Sequence, residues 1–104
     1  MLFRAAFLAL ALAATPALAD PPPPVPEMSL PQIAGVIAER YRGRLMEVEL
    51  EDPEDDERRL GVRVVYEAEY LTPADNLLTM RIDGDTGAFL LVEGVGQTEA
   101  RRAR

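Results

Sequence analysis

Carboxylates are the residues of this chain that could do chemistry, and they are concentrated in one segment. Eight of the eleven residues from 47 to 57 are acidic. Clustered Asp and Glu side chains offer the hard oxygen ligands that Ca²⁺ prefers, so this segment is a candidate cation site. It lacks the Asp-x-Asp-x-Asp-Gly spacing of a calcium loop, however, and it contains Pro53. Because crowded carboxylates repel one another unless solvent screens them, we expect a solvated, exposed loop over residues 52–59.

A second acidic motif is the run Asp83-Gly84-Asp85-Thr86-Gly87. Its two aspartates resemble the start of an EF-hand loop, which needs glycine at position six and glutamate at position twelve. Counting from Asp83, these positions hold Ala88 and Gly94. The two glycines of the run suit a tight hairpin with a bulge, so the sequence predicts a turn here and no metal site.

Glu67 and Glu69 form the remaining pair of carboxylates. Such pairs do acid–base chemistry only where a cleft separates their pKa values, and on an open sheet face we expect them to pair with Arg63 and Arg81 instead. The chain has no His, Cys or Lys. This composition excludes a Ser-His-Asp triad, a Cys-His dyad, a His-ligated zinc site and a Lys Schiff base. The sequence therefore predicts a non-enzymatic protein without catalytic residues, metal or cofactor.

The N-terminus has the organisation of a secretory signal peptide over residues 1–19. Arg4 precedes an apolar run from 5 to 14, and Ala17-Leu18-Ala19 is a small-x-small cleavage site. The apolar run is shorter than the roughly 20 residues of a membrane-spanning helix. We expect cleavage after Ala19, a periplasmic or secreted location, and no membrane insertion of the mature chain.

The charge of the mature chain limits its partners. Cleavage leaves ten arginines against 18 acidic residues, a formal net charge of −8 compared with −7 for the whole chain. Nucleic acids and anionic membranes are bound through surplus positive charge. We therefore exclude both as partners and expect a monomer that binds, at most, a basic protein.

The rest of the chain divides into a spacer, a domain and a tail. Residues 20–27 contain five prolines, which predicts a polyproline II spacer over residues 20–28. The domain covers residues 29–94. Residues 95–104 have no periodicity and end in arginines, so we predict a disordered basic tail.

One amphipathic helix is predicted at the start of the domain. Ser29 and Gln32 have the spacing of a capping box, and Pro31 falls in the first turn, where its missing N–H costs nothing. Gly43 is the natural stop. The apolar stripe comprises Leu30, Ile33, Ala34, Ile37 and Tyr41. A single stripe predicts a helix that lies on one sheet.

Four strands follow the helix; the first three have alternating faces, and the fourth is apolar on both faces, so its pattern does not fix its register. The predicted strands cover residues 44–51, 62–70, 77–83 and 88–93. In the first, Met46, Val48 and Leu50 share one face and glutamates share the other. In the second, Tyr66 and Tyr70 lie on the apolar face, where we expect them to pack under the helix. The sequence therefore predicts an α+β fold with one helix on an antiparallel sheet of three to four strands.

In this order, the elements resemble the PepSY domain family. The resemblance covers residues 30–92. It rests on the helix of residues 33–41, on Gly43 and the strand Glu47-Val48-Glu49-Leu50, on Val65-Tyr66-Glu67, and on the hairpin Arg81-Ile82-Asp83-x-x-Thr86-Gly87. It implies a helix packed on an antiparallel sheet, an extracytoplasmic location, and a role in restraining or modulating proteases or membrane sensor systems. The family pattern carries no catalytic residue.

We therefore predict an exported PepSY-like module that binds and modulates a protein partner, as a protease inhibitor or sensor regulator does. It could use an exposed edge strand for β-augmentation or its acidic region to steer a basic partner. The candidate partner-binding residues are Glu51, Asp52, Glu54, Asp55, Asp56 and Glu57. The alternative is a calcium- or small-ligand-binding module that uses the acidic loop at residues 47–57.

Overall fold

A computed structural model of the chain describes residues 21–103, so the predicted signal peptide lies outside the described residues. In chain order the elements are α1 (Leu30–Arg40), β1 (Arg44–Glu51), α2 (Asp55–Arg59), β2 (Val65–Leu71), β3 (Leu77–Asp83), β4 (Phe89–Glu93) and α3 (Gln97–Ala100). The strands form one antiparallel sheet in the order β1-β2-β3-β4. The predicted α+β class is confirmed. None of the helices described is long and apolar enough to span a membrane.

The start of α1 has the predicted capping box. Ser29 Oγ accepts a hydrogen bond from Gln32 N at 3.3 Å, and Gln32 Oε1 accepts one from Ser29 N at 2.8 Å. Two donors that the first helical turn would leave free are thereby satisfied. Ile33 and Ile37, one helical turn apart, are fully buried and fix α1 against the sheet.

The core lies between α1 and one face of the sheet. Its buried members are Ile33, Ile37, Tyr41, Tyr66, Ala68, Tyr70, Leu78, Met80, Ile82 and Ala100. Both strand tyrosines bury their rings and keep their hydroxyls bonded, as buried tyrosines generally do. Tyr66 Oη donates to Met28 O at 2.8 Å, and Tyr70 Oη donates to Tyr41 O at 3.1 Å. Their predicted packing under the helix is confirmed.

β1 departs from its predicted facing pattern because it contains a β-bulge. The register with β2 shifts between Leu45 and Glu47. Met46 falls in the bulge and is 51% exposed, although alternation placed it on the apolar face. Val48 packs against the core as predicted, and Leu45 does so in place of Met46. A bulge inserts one extra residue into a strand and so re-aims the side chains before it.

The C-terminal half of the spacer predicted at residues 20–28 docks on the domain. Glu27 N donates to Asp85 Oδ1 at 3.0 Å. Arg63 Nη2 donates to Val25 O at 2.9 Å and pairs with Asp85 Oδ1 at 2.8 Å. The free spacer is therefore shorter than the proline content predicts, because the chain is held from Val25 onward.

The structure also differs from the prediction of a disordered tail at residues 95–104. α3 forms there, and Ala100 is only 3% exposed. Arg42 N donates to Ala100 O at 2.8 Å, and Arg102 N donates to Arg40 O at 2.7 Å. A four-residue helix is too short to show a periodicity. Its attachment depends on one small apolar side chain and on backbone bonds, which a sequence pattern does not reveal.

Candidate functional site

β1 is an edge strand whose outer side is unpaired within residues 21–103. It pairs with β2 on one side only, and no other hydrogen bond from the described residues reaches its backbone. β1 is eight residues long. In an antiparallel strand, alternate residues turn their N–H and C=O groups to the same side. The outer side of β1 is therefore a row of free backbone donors and acceptors, which is a template for another strand.

The sheet face opposite α1 carries four glutamates from β1 and β2, which we call the glutamate row (Glu47, Glu49, Glu67 and Glu69). Glu47 lies directly opposite Glu69, and Glu49 lies directly opposite Glu67. The four side chains line a depression of about 120 Å³. Like charges directly opposite each other destabilise a sheet. The four glutamates therefore repel one another, and a cation bound beside them would relieve this repulsion.

One member of the glutamate row has a cationic partner in the described part of the chain. Glu67 Oε2 accepts from Arg81 Nη1 at 2.7 Å, which confirms the cross-strand pair expected for Arg81. Arg63, the other expected partner, binds Asp85 instead. The remaining three glutamates of the row take part in no ion pair among residues 21–103.

α2 lies against this open face and is held by a buried ion pair. The Glu57 side chain, 7% exposed, accepts from Arg81 Nη2 at 2.7 Å and from Arg81 Nε at 3.0 Å. A bidentate carboxylate–guanidinium pair of this kind is a strong, geometrically specific contact. The hydrogen bond from Arg81 lowers the pKa of the Glu57 carboxyl, and the same bond raises the pKa of the Arg81 guanidinium. Both groups are therefore charged near neutral pH.

The acidic segment forms a helix where a loop was predicted, and its charge order explains why. The first turn of α2 carries three acids, and its last turn carries Arg58 and Arg59. Acids near the N-terminus and bases near the C-terminus complement the helix dipole. Glu57 Oε1 also accepts from Glu54 N at 2.9 Å, as in a capping box. The predicted loop is therefore wrong for Asp55–Arg59.

Five of the six candidate partner-binding residues remain at the surface. Asp52, Glu54, Asp55 and Asp56 are exposed, and Glu51 is half-buried. Glu57 is the buried residue of α2. Because it is fully engaged with Arg81, Glu57 holds α2 in place and cannot meet a partner.

The aspartates of the turn at residues 83–87 are used within the protein. Asp83 Oδ1 accepts from Asp85 N at 2.8 Å and from Thr86 N at 3.3 Å. Asp85 binds Arg63, which lowers the pKa of its carboxyl. In residues 21–103 no group of three or more His, Cys, Asp or Glu side chains is placed to hold a metal ion. These carboxylates serve to shape the turn and to fasten the N-terminal segment.

Sequence reasoning missed the buried contact between Glu57 and Arg81. Arg81 was expected to pair across the strands, and that pair uses only part of its guanidinium. No sequence signal distinguishes this contact. Met80 and Ile82 flank Arg81, but they point to the opposite face of β3, and Arg81 is buried because its side chain contacts Glu57 of α2.

Comparison of the chain with protein-family models gives no match. Comparisons with curated proteins and with solved structures give none either. The fold and the surface together define the class of this protein as a small α+β domain. It combines an open sheet edge with a face of largely unpaired carboxylates.

Proposed function

We propose that this chain is an exported, non-enzymatic PepSY-like module that binds and modulates a protein partner, such as a protease or membrane sensor, in the periplasm. The observation that carries the proposal is the free outer side of β1 beside the glutamate row. An extended segment of the partner would add to the sheet as a further strand. The resemblance to PepSY domains supports the location and the modulating role.

The chemistry of β1 defines the segment that would fit. Side chains of an added strand alternate between the two faces of the sheet. One set would therefore lie beside Glu47, Glu49 and Glu51, and Arg or Lys at alternate positions would pair with them. Each opposite-charge pair across strands contributes roughly 0.2–1 kcal/mol. Backbone hydrogen bonds would supply affinity, and the carboxylates would select a basic sequence.

The same charges disfavour pairing of β1 with a second copy of the chain. Two copies joined edge to edge would bring glutamates of both strands onto one face, where like charges repel. The bulge at Met46 also distorts the edge. Bulges and charges are devices by which proteins protect their edges from self-association. These features favour a monomer and a partner of opposite charge.

Modulation would follow from holding a flexible segment of the partner as a strand. A ligand shifts a conformational equilibrium when it binds one state better than the other. A basic loop held against β1 would be withdrawn from any conformation that the partner needs for its activity. This mechanism needs no reactive residue in the module.

The test uses the mature chain and a short peptide with lysine at alternate positions. We expect binding that weakens with added salt and that protects the amides of β1, but not those of β4, from hydrogen exchange. The double variant Glu47→Gln/Glu49→Gln should bind roughly tenfold more weakly, because it removes two charge pairs of about 0.7 kcal/mol each. The control is Glu99→Gln, which removes one charge from exposed α3.

Two results would refute the proposal. One is an affinity that is indifferent both to salt and to the double variant. The other is protection that maps to β4 or to α1 instead of β1. A peptide with glutamate in place of lysine should not bind, and equal binding of that peptide would also count against it.

A further inference from the structure

The arginines of this acidic protein are concentrated in one region. Five of them form no ion pair within residues 21–103. They lie at the end of α1, in the following turn, at the start of β1 and after α3. They are Arg40, Arg42, Arg44, Arg101 and Arg102. In a chain of net charge −7, carboxylates are in excess, so a group of arginines without carboxylate partners is notable.

Three of these arginines line a cleft of about 810 Å³, which we call the arginine cleft. It lies between the second half of α1, the start of β4 and the segment after α3. Arg40, Arg101 and Arg102 supply three positive charges, and Glu39 of α1 supplies one negative charge, so the lining is net positive. Val36, Gly87, Ala88 and Phe89 supply an apolar surface. The cleft therefore combines cationic donors with an area that favours an apolar group.

Two of the guanidiniums are held in place by aromatic rings. Arg40 Cζ lies 4.2 Å from the centroid of the Phe89 ring, and Arg101 Cζ lies 5.9 Å from that of Tyr41. A guanidinium held over a ring keeps the N–H donors at its edge free. Neither side chain donates a hydrogen bond to another described residue. Their donors are thus positioned and unused.

Arg102 is held by a different contact. Its Nε donates to Ala38 O at 2.6 Å, and its backbone N donates to Arg40 O. Both bonds tie the segment after α3 to the end of α1, and the two Nη groups of Arg102 make no hydrogen bond among the described residues. Donors that are ordered before a ligand arrives reduce the entropic cost of binding.

We propose that the arginine cleft binds an acidic peptide segment of a protein partner, with an apolar side chain between carboxylates. The carboxylates would accept bonds from Arg40, Arg101 and Arg102. The apolar side chain would cover Ala88 and Phe89. A cleft of this volume is far larger than an inorganic anion requires, and its apolar area offers such an ion no favourable contact. The site goes beyond the proposed function, because it lies away from β1 and selects the opposite charge.

The experiment measures fluorescence anisotropy of a short labelled peptide in which glutamates flank one leucine, titrated with the mature chain. We expect saturable binding. Arg40→Gln and Arg101→Gln should each weaken it at least about tenfold, since each removes a hydrogen bond between charged groups. Ala88→Glu, which places a carboxylate on the apolar area, should abolish binding. Arg59→Gln is the matched control, because it removes the same charge from exposed α2, and it should bind like the wild type.

Several outcomes would overturn the proposal. They are the absence of binding, equal binding by a peptide with serine in place of leucine, and equal weakening by Arg59→Gln. Sedimentation supplies a further check. If the wild type is a dimer that Arg40→Gln dissociates, the occupant of the cleft is a second copy of the chain. Glu47→Gln/Glu49→Gln should leave this binding unchanged, so failure here and failure of the β1 proposal are distinguishable.

Discussion

Arg81 Nη2 lies 2.7 Å from Glu57 Oε1, and this contact joins α2 to an inner strand of the sheet. The same guanidinium binds Glu67 of β2 through Nη1 at 2.7 Å. Its Nη2 also donates to Asp52 O at 3.3 Å, immediately after β1. One side chain of β3 thus fixes the acidic segment at two points, Asp52 and Glu57. The surface beside β1 is held in shape by a residue that is itself buried.

Arg81→Met should destabilise the domain strongly. The substitution leaves the Glu57 carboxylate buried without its partner, and breaking a buried pair in this way costs about 3–5 kcal/mol. Urea unfolding of the mature chain measures the loss. Arg59→Met, at an exposed position, should change the free energy of unfolding by less than about 0.5 kcal/mol. The double variant Glu57→Leu/Arg81→Met should be more stable than Arg81→Met, and strictly additive losses would contradict a direct coupling.

The stability of the wild type should fall in acid because of Glu57. The folded state lowers the pKa of this carboxyl below its ordinary value of 4.5, so folding favours the charged form. The contribution is complete above the unfolded pKa and is lost as the pH falls through the folded pKa. Urea unfolding measured between about pH 7 and about pH 3 should show this loss of stability. Glu57→Gln should be less stable than the wild type at neutral pH and should lose less stability on acidification.

The control for this pH dependence is Glu99→Gln. Glu99 is exposed on α3, so its removal should preserve the wild-type profile. An acid profile of Glu57→Gln that parallels the wild type would mean that other carboxyls cause the loss. Asp85 is the first to examine in that event, because Arg63 also lowers its pKa.

The sequence predicted best those parts of the fold that depend on neighbouring residues. The capping box of Ser29 and Gln32 and the third strand at residues 77–83 both agree with the structure. The bulge at Met46 and the burial of Ala100 depend on contacts with distant parts of the chain. Hydrophobic periodicity contains no information about such contacts, and the predictions differ from the structure at these places.

The candidate site was predictable in its charges but not in its arrangement. Alternation along β1 already placed Glu47 and Glu49 on the outer face. Their position opposite Glu69 and Glu67 depends on the register between β1 and β2, which the bulge shifts. The free edge of β1 depends on strand order, which the pattern of the four predicted strands does not specify. The role of Glu57 required knowledge of which arginine lies beneath α2.

Tyr70→Phe should cost more stability than Tyr66→Phe. The Tyr70 hydroxyl is the buried donor to Tyr41 O, and its loss leaves a carbonyl without a partner in the core. An unsatisfied buried group costs about 1–3 kcal/mol. The Tyr66 bond to Met28 O is only partly buried, so water can replace the hydroxyl there. Urea unfolding of both variants measures the difference, and equal losses would show that burial does not separate the two bonds.

Gly43→Ala should be among the most damaging small substitutions in the domain, because Gly43 joins α1 to β1 at a crowded position. Its φ of +135° disfavours any side chain, and a Cβ would clash with Leu71 O. Relieving that clash would displace β1 from β2 and disturb the edge on which partner binding is proposed. We expect a loss of at least about 2 kcal/mol in the free energy of unfolding, from strain of about 1–3 kcal/mol together with the steric overlap.

Gly35→Ala is the matched control: a Cβ on this α1 residue meets nothing within 4 Å, so alanine should stabilise the helix by about 0.5–1 kcal/mol. Thermal and urea unfolding of the two variants should therefore shift in opposite directions, and a Gly43→Ala variant as stable as the wild type would show that the turn at Gly43 can relax without disturbing β1.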